Sequence, residues 1–308
     1  MKFHRYHDEN DYGRLRDFLR EVFLLNQCIE HSWHVARLDY WRWHLVLNCQ
    51  VCESLEKAIT IWESEDQQIA GVLLPLGQGE LRLHVHPHLR SAELEEEMLR
   101  EAERYLPARR ENGSGILYLP VFTDDALRQD ILAQQGYSKA EGIAHHWWRD
   151  LDDPVPETSL PSGYLIRSMG QESEHPARSR ASWRAFHSEE PPEAYDGDWS
   201  WYRNIQAAPL YRQDLDIVAV TQEGEIAAFC TIYYDDVTRA AVCVLVGTAA
   251  EHWRRGLGKA VMLEGMRRLQ GLGCQRAFAT AYDPPAYGLY SSVMHSVKIT
   301  ETWLKEIK

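Results

Sequence analysis

The sequence predicts a mixed α/β protein made of two tandem copies of one fold, each a sheet flanked by helices. Three observations carry this. The chain has 308 residues, more than the roughly 100–200 of a usual single domain. Near its middle lies "DLDDPVPETSLPSG", 150–163, with three prolines, several acids and no apolar periodicity. That is linker composition, and it predicts a first domain at 1–150, a linker at 151–162 and a second domain at 163–308. On either side of the linker, one order of elements repeats.

Each half opens with a strand, helices and a Trp-rich piece, "YWRWHL" (40–45) or "WSWYRNI" (199–205). A polar turn and an apolar strand follow, "QQIAGVLLPL" (67–76) or "GEIAAFCTIY" (224–233). Next comes a second strand, "ELRLHVH" (80–86) or "RAAVCVLV" (239–246). A long amphipathic helix comes after it. In the first half Leu94, Met98, Ala102 and Leu106 share one helical face; in the second, Val261, Met262, Met266 and Leu269 do. Each half ends with a strand, a short helix and a final strand, "GILYLPVF…LRQDILAQQGY…IAHHWWRDL" or "CQRAFATAY…AYGLYSSVMHSVKITETWLKEI". Strands alternating with helices in this way place the chain in the α/β class.

Composition excludes several roles. Hydrophobic residues make up 44% and charged residues 26%, enough apolar material for a core. The formal net charge of −13 disfavours nucleic acid and favours neutral or cationic partners. No apolar run approaches the roughly 20 residues of a membrane helix. The start, "MKFHRYHDEND", has no apolar signal core, so the expectation is a cytoplasmic protein without membrane partners. Cys28, Cys49, Cys52, Cys230, Cys243 and Cys274 read as small packed hydrophobes. Cys49 and Cys52 have Cys-x-x-Cys spacing, but no second such pair exists to complete a zinc site. His84, His86 and His88 recur at strand period and read as a histidine-rich surface strand with no metal.

The stretch that carries chemistry is "EHWRRGLGKAVMLEGMRRLQ", 251–270. A glycine costs roughly 1 kcal/mol in a helix interior, so Gly256 and Gly258 at the expected helix start call for a reason. A helix N-terminus offers unpaired backbone N–H groups and the positive end of the macrodipole, a natural anion site. Glycines there let an anion approach the backbone, and Arg254, Arg255 and Lys259 add positive charge. A pyrophosphate cradle is predicted. It is not a P-loop, because Trp253 stands where the first glycine belongs and Ala260 follows Lys259. It is not a dinucleotide-binding turn, because position 261 is Val and the strand comes late in its domain.

The arrangement resembles the GNAT N-acetyltransferase superfamily. That family's Arg/Gln-x-x-Gly-x-Gly/Ala run aligns with "WRRGLG", 253–258, with Trp253 as a departure at its first position. The resemblance implies that Arg254, Arg255, Gly256, Leu257, Gly258 and Lys259 hold the pyrophosphate of acetyl-CoA. It implies that Val246, Gly247 and Thr248 line the pantetheine arm. The family's Asn-x-x-Ala-x-x-Leu-Tyr aligns with "DPPAYGLY", 283–290. Asp283 stands for the cofactor-side Asn, the alanine sits one place early, and Tyr290 stands for the general acid toward the departing thiolate. Met294-His295 replaces the usual Gly-Phe. The resemblance covers about 163–308, and the repeat extends it to a tandem arrangement of two domains, each with a central, mostly antiparallel sheet.

In the first half, "VHPHLRSAELEEEM" (85–98) keeps Val85, Pro87 and Arg90, but Glu93 and Glu95 replace the cradle glycines. Two carboxylates facing a pyrophosphate would repel it, and Leu132 stands at the tyrosine position. The first domain is expected not to bind CoA. The family's substrate loop aligns with "HSEEPPEAYDGDWSWY", 187–202. Glu189, Glu190, Glu193, Asp196 and Asp198, with Tyr195, Trp199 and Trp201, would suit a small cationic amine, expected in a cleft between the halves. One of these acids is a candidate base. Three functions stay open at this point: an N-acetyltransferase, a non-catalytic acyl-CoA-binding module, and an interaction protein on a decayed fold.

Overall fold

The computed structural model describes residues 1–111, 113–157 and 159–307, so position 158 of the expected linker lies outside the described residues. The chain divides into two compact units. The first holds Met1–Trp41, Cys49–His146 and Lys298–Lys308; the second holds Arg42–Asn48 and Trp147–Val297.

In the first unit, β1 (Lys2–Arg5) leads to α1 (Glu9–Leu25), α2 (Val35–Tyr40) and the short α3 (Leu55–Ala58). Asp8 caps α1 by accepting from Asn10 N at 2.9 Å, and Tyr12, Leu15, Leu19, Val22 and Phe23 form its buried face. Then come β2 (Thr60–Glu63), β3 (Ile69–Gly77), β4 (Glu80–Val85), α4 (Ala92–Tyr105), β5 (Ala108–Arg109), β6 (Gly115–Phe122), α5 (Ala126–Gln134) and β7 (Ser138–Asp150), which continues into the second unit. β1 to β4 pair antiparallel in sequence order. β4 meets β6 in parallel at Glu80 and Tyr118. Leu94, Met98, Leu99 and Ala102 of α4 pack onto Leu73, Leu83, Leu117 and Leu119 of that sheet.

The second unit repeats the plan. β8 (Tyr164–Ser168), α6 (His175–Phe186) and α7 (Ser200–Ala207) precede β9 (Tyr211–Thr221), β10 (Ile226–Asp235) and β11 (Ala240–Thr248). After them come α8 (Leu257–Gly271), β12 (Arg276–Ala281), α9 (Pro284–Ser291) and β13 (Ser296–Ile307). β8 to β11 pair antiparallel in sequence order, and β11 pairs in parallel with β12. Each unit is thus a mostly antiparallel sheet flanked by helices, as the sequence predicts. Val261, Met262, Met266 and Leu269 of α8 lie in the core against Ile217, Cys230 and Ile232. At Gly265 an added Cβ would sit 2.4 Å from Ile232 Cδ1, so a glycine lets α8 lie close on the sheet.

The unit boundaries differ from the sequence expectation in three places. Residues 298–308 count with the first unit, where Thr300–Ile307 pair antiparallel with Phe122–Gly115 of β6. Strand periodicity marks β13 as a strand without saying which ladder it joins. Residues 42–48, from the first half of the sequence, count with the second unit. The start of the expected linker is fastened down, because Leu151 N donates to Gln275 O at 2.8 Å and Gln270 Nε2 donates to Leu151 O and Asp153 O at 2.9 Å.

Candidate active site

β11 ends at Thr248, and a short 3-10 turn at Ala250–His252 carries the chain toward α8. Gly256 precedes that helix with φ +78°, the left-handed region that costs an L-residue roughly 1–2 kcal/mol. No side chain caps this helix end, so its first N–H groups remain for another acceptor. Gly258 answers to space instead: a Cβ there would lie 3.1 Å from Thr248 Oγ1 and 3.3 Å from Leu289 Cδ2. Strand end, helix start and α9 therefore converge on this glycine. Gly247 is also set by space, since a Cβ would meet Phe229 Cζ at 2.4 Å and Ala185 Cβ at 2.9 Å.

The cations divide. Arg255 is engaged within the unit, donating to Tyr164 OH at 2.6 Å and to Glu251 O at 3.3 Å. Arg254 and Lys259 are exposed and have no ion-pair partner among the described residues. Trp253, the departure from the motif, donates from Nε1 to Thr248 O at 2.7 Å and ties the turn to the strand end. Leu257 is buried under the helix start.

Registered pairing of β11 with β12 covers Ala240–Val242 against Arg276–Phe278, and both strands run on past it to Thr248 and Ala281. Val246, Gly247 and Thr248 are half-buried on that continuation. Asp283 proves to be a helix cap: its Oδ1 accepts from Ala286 N at 2.8 Å, with Pro284 at the first position of α9, a residue that fits there because its missing N–H is not needed. Tyr290 is buried in α9 in the unit's core, one residue after the leucine that meets Gly258.

A cavity of about 310 Å³ opens beside β11. Every lining residue belongs to the second unit. One face of α6 supplies Ser179, Ser182, Trp183 and Phe186, with His187 following it at the same helical spacing. Tyr195, Asp196, Asp198 and Trp201 come from the next loop and α7, His44 from the recruited segment, and Leu245 from β11. Leu245 directly precedes Val246, so the cavity borders the strand whose last residue, Thr248, closes on Gly258. Of the loop acids, Asp196 and Asp198 reach the cavity and Glu189, Glu190 and Glu193 do not. Of the loop aromatics, Tyr195 and Trp201 do, while Trp199 faces His175 at 5.8 Å and Arg203 at 4.4 Å. Hydrogen bonds from Ser200 N and Oγ hold the Asp198 carboxyl below its usual range. Trp201 Nε1 donates to Ser179 Oγ at 2.8 Å, and Ser179 Oγ to Asp198 O at 2.7 Å, which fixes the loop on α6.

Residues 180–294, from α6 through α9, match the model of the acetyltransferase (GNAT) family. The matched stretch lies within the second unit. Comparison with curated proteins finds no match. Among solved structures, a GCN5-related N-acetyltransferase from Sphaerobacter thermophilus superposes with TM-score 0.67 at 17% identity, covering 100% of this chain and 96% of that one. A tandem GNAT protein from the clavulanic acid biosynthesis pathway gives TM-score 0.66 at 16% identity, covering 99% and 98%. N-myristoyltransferase of Saccharomyces cerevisiae, solved with myristoyl-CoA, gives 0.58 at 9% identity, covering 98% and 78%. At these identities the likeness concerns fold, and it spans the whole chain in the tandem arrangement predicted from the repeat.

The first unit's counterpart of the GNAT cradle is differently furnished. Ser91 caps α4 by accepting from Leu94 N at 3.2 Å. Glu95 is fully buried, bonded by Arg90 and, at 2.6 Å, by Arg128. Arg90 also reaches Asp125 at 2.7 Å. Burial opposes ionisation of Glu95, but Arg128 and Arg90 outweigh it and hold the carboxyl below its usual range. Here a protein carboxylate satisfies the arginines. Glu93 is exposed at the helix start, and Leu132 is buried where Tyr290 aligns. His84 and His86 are buried rather than on a surface strand, His84 packing against Trp33 and His86 reaching Gln68 and Glu21, and among the described residues no His, Cys, Asp or Glu group is arranged to hold a metal ion.

Sequence reasoning missed His44, Ser179, Ser182, Trp183, Phe186 and Leu245. The α6 set was readable as an i, i+3, i+4, i+7 face. His44 had no local signal beyond its Trp-rich setting.

Proposed function

We propose that the chain is a cytoplasmic N-acetyltransferase that moves the acetyl group of acetyl-CoA to a small cationic amine. The supporting observation is an uncapped helix start that follows directly on the strand bordering, through Leu245, the aromatic and acidic cavity. The pyrophosphate would lie on the N–H groups from Leu257 to Lys259, with Arg254 and Lys259 for charge. The pantetheine arm would follow Val246–Thr248. Tyr195, Trp183 and Trp201 offer π faces and Asp196 and Asp198 negative charge, a combination that attracts a cation. The amine attacks the thioester carbon, the N–C bond forms, and the C–S bond breaks with its electron pair on sulfur. Tyr290 would protonate that sulfur; a phenol, pKa roughly 10, is well matched to a thiolate.

The test is CoA release from acetyl-CoA with polyamines, aminoglycosides, aminoacyl compounds and acidic amino acids. Turnover of a cationic amine supports the reading. Selective turnover of acidic amines refutes the charge argument, and cofactor binding with no turnover returns the chain to the acyl-CoA-binding alternative.

A further inference from the structure

An alkylammonium has a pKa of roughly 10.4 and is almost wholly protonated at neutral pH, so the reaction needs a proton acceptor beside the amine. β11 carries no acid. We propose that His187 is that acceptor, through Nε2. His187 ends α6, and its Nδ1 lies 3.2 Å from Trp183 O. A carbonyl oxygen has no hydrogen to give, so Nδ1 carries the ring hydrogen and the neutral ring keeps its lone pair on Nε2. The imidazole stacks on Trp183 at 5.5 Å and 12°, which fixes its plane, and it lines the cavity.

The neighbouring polar groups of that wall make local hydrogen bonds that hold the loop in place. Asp198 accepts from Ser200 N at 2.9 Å and Ser200 Oγ at 3.1 Å. Asp196 accepts from Asp198 N at 2.8 Å. Tyr195 OH donates to Asp198 O at 3.0 Å. His44 has the opposite tautomer: its Nδ1 lies 3.0 Å from Asn48 Nδ2, an amide that can only donate, so the hydrogen of His44 is on Nε2. The cavity thus holds one histidine set to donate and one set to accept. In the reaction the ammonium passes one proton to His187 Nε2, and the freed lone pair forms the N–C bond. The second nitrogen proton balances the one Tyr290 gives to sulfur, and the imidazolium returns its proton to water.

This inference rests on the acetyltransferase reading, and the experiment separates the two. In full-length protein, His187→Ala should lower kcat for the best amine about 10²–10⁴-fold, with acetyl-CoA binding heat unchanged. Added imidazole, filling the vacated space, should restore part of the rate in proportion to its concentration. Asp196→Asn, which removes charge from the amine's cavity, should raise KM for the amine, with kcat falling far less than in His187→Ala. An unchanged kcat in His187→Ala, or a loss that imidazole does not relieve while acetyl-CoA still binds, overturns the assignment and leaves the acetyltransferase reading standing. No turnover of any amine by the unaltered protein overturns both.

Discussion

Gly256 and Gly258 answer to different constraints, and substitutions separate them. Gly256 has open space where a Cβ would go but a left-handed backbone. Gly256→Ala should therefore act as backbone strain, lowering stability by roughly 1–2 kcal/mol, seen as a fall of several degrees in Tm. Gly258 has ordinary helical backbone but Thr248 and Leu289 at its surface. Gly258→Glu should crowd the strand end, bring a carboxylate to the cradle and abolish acetyl-CoA binding. Tyr290→Phe should reduce kcat about 10²–10⁴-fold with cofactor affinity retained; an unchanged kcat makes Tyr290 a packing residue. Tyr290 is singled out by the family resemblance alone, whereas the two glycines were legible because turn chemistry is local. Arg255 was not, since its partner Tyr164 lies 91 positions away and the sequence shows only a third cation. The Asp-Pro-Pro run at 283–285 is a local cap signal for Asp283, independent of its alignment with the family's Asn.

The helices after β4 and β11 show how one element can carry two roles. α4 and α8 bury matching apolar faces, which is why periodicity found both. Their N-terminal ends differ in what satisfies them: a bare helix start after Gly256 in one, a serine cap with a clamped carboxylate in the other. Glu95→Gln should leave the buried Arg128 with only Asp125, 4.0 Å away, as an anion, and breaking such a buried pair costs up to about 3–5 kcal/mol. Urea denaturation should show that loss, and the variant should gain no acetyl-CoA binding at the first unit. α6 carries most of the cavity wall on one face. Its periodicity was available from sequence, but only the tertiary fold shows that the face borders a cavity rather than a core.

Among the described residues, burial lowers the pKa of several histidines, and three of them far. It pushes His84 and His146 down to about 3 and His44 down to about 4. In the unfolded chain each binds a proton near pH 6.5, whereas in the folded chain it stays neutral to about pH 4 or 3. The unfolded state therefore holds more protons as pH falls from about 6.5, and stability falls with it, by up to about 1.4 kcal/mol per histidine per pH unit. Denaturation midpoints should be clearly lower at about pH 5 than at about pH 7, and His84→Gln should reduce that difference by about a third. The repeat was readable because it lies along the chain. The assignment of 42–48 and 298–308 was not, because a strand or turn signal does not name its partner. A fragment of residues 163–308 would lack His44 and the β6 partner of Thr300–Ile307, and should show no turnover; full activity in that fragment would contradict the assembled site.

The central claim is that the second unit alone holds the cofactor, at the uncapped start of α8. Calorimetric titration of the full-length protein with acetyl-CoA tests it directly. The expected result is one site per chain, lost in Gly258→Glu and kept in Glu93→Ala. Two sites per chain, or binding that survives Gly258→Glu and disappears in Glu93→Ala, would contradict it.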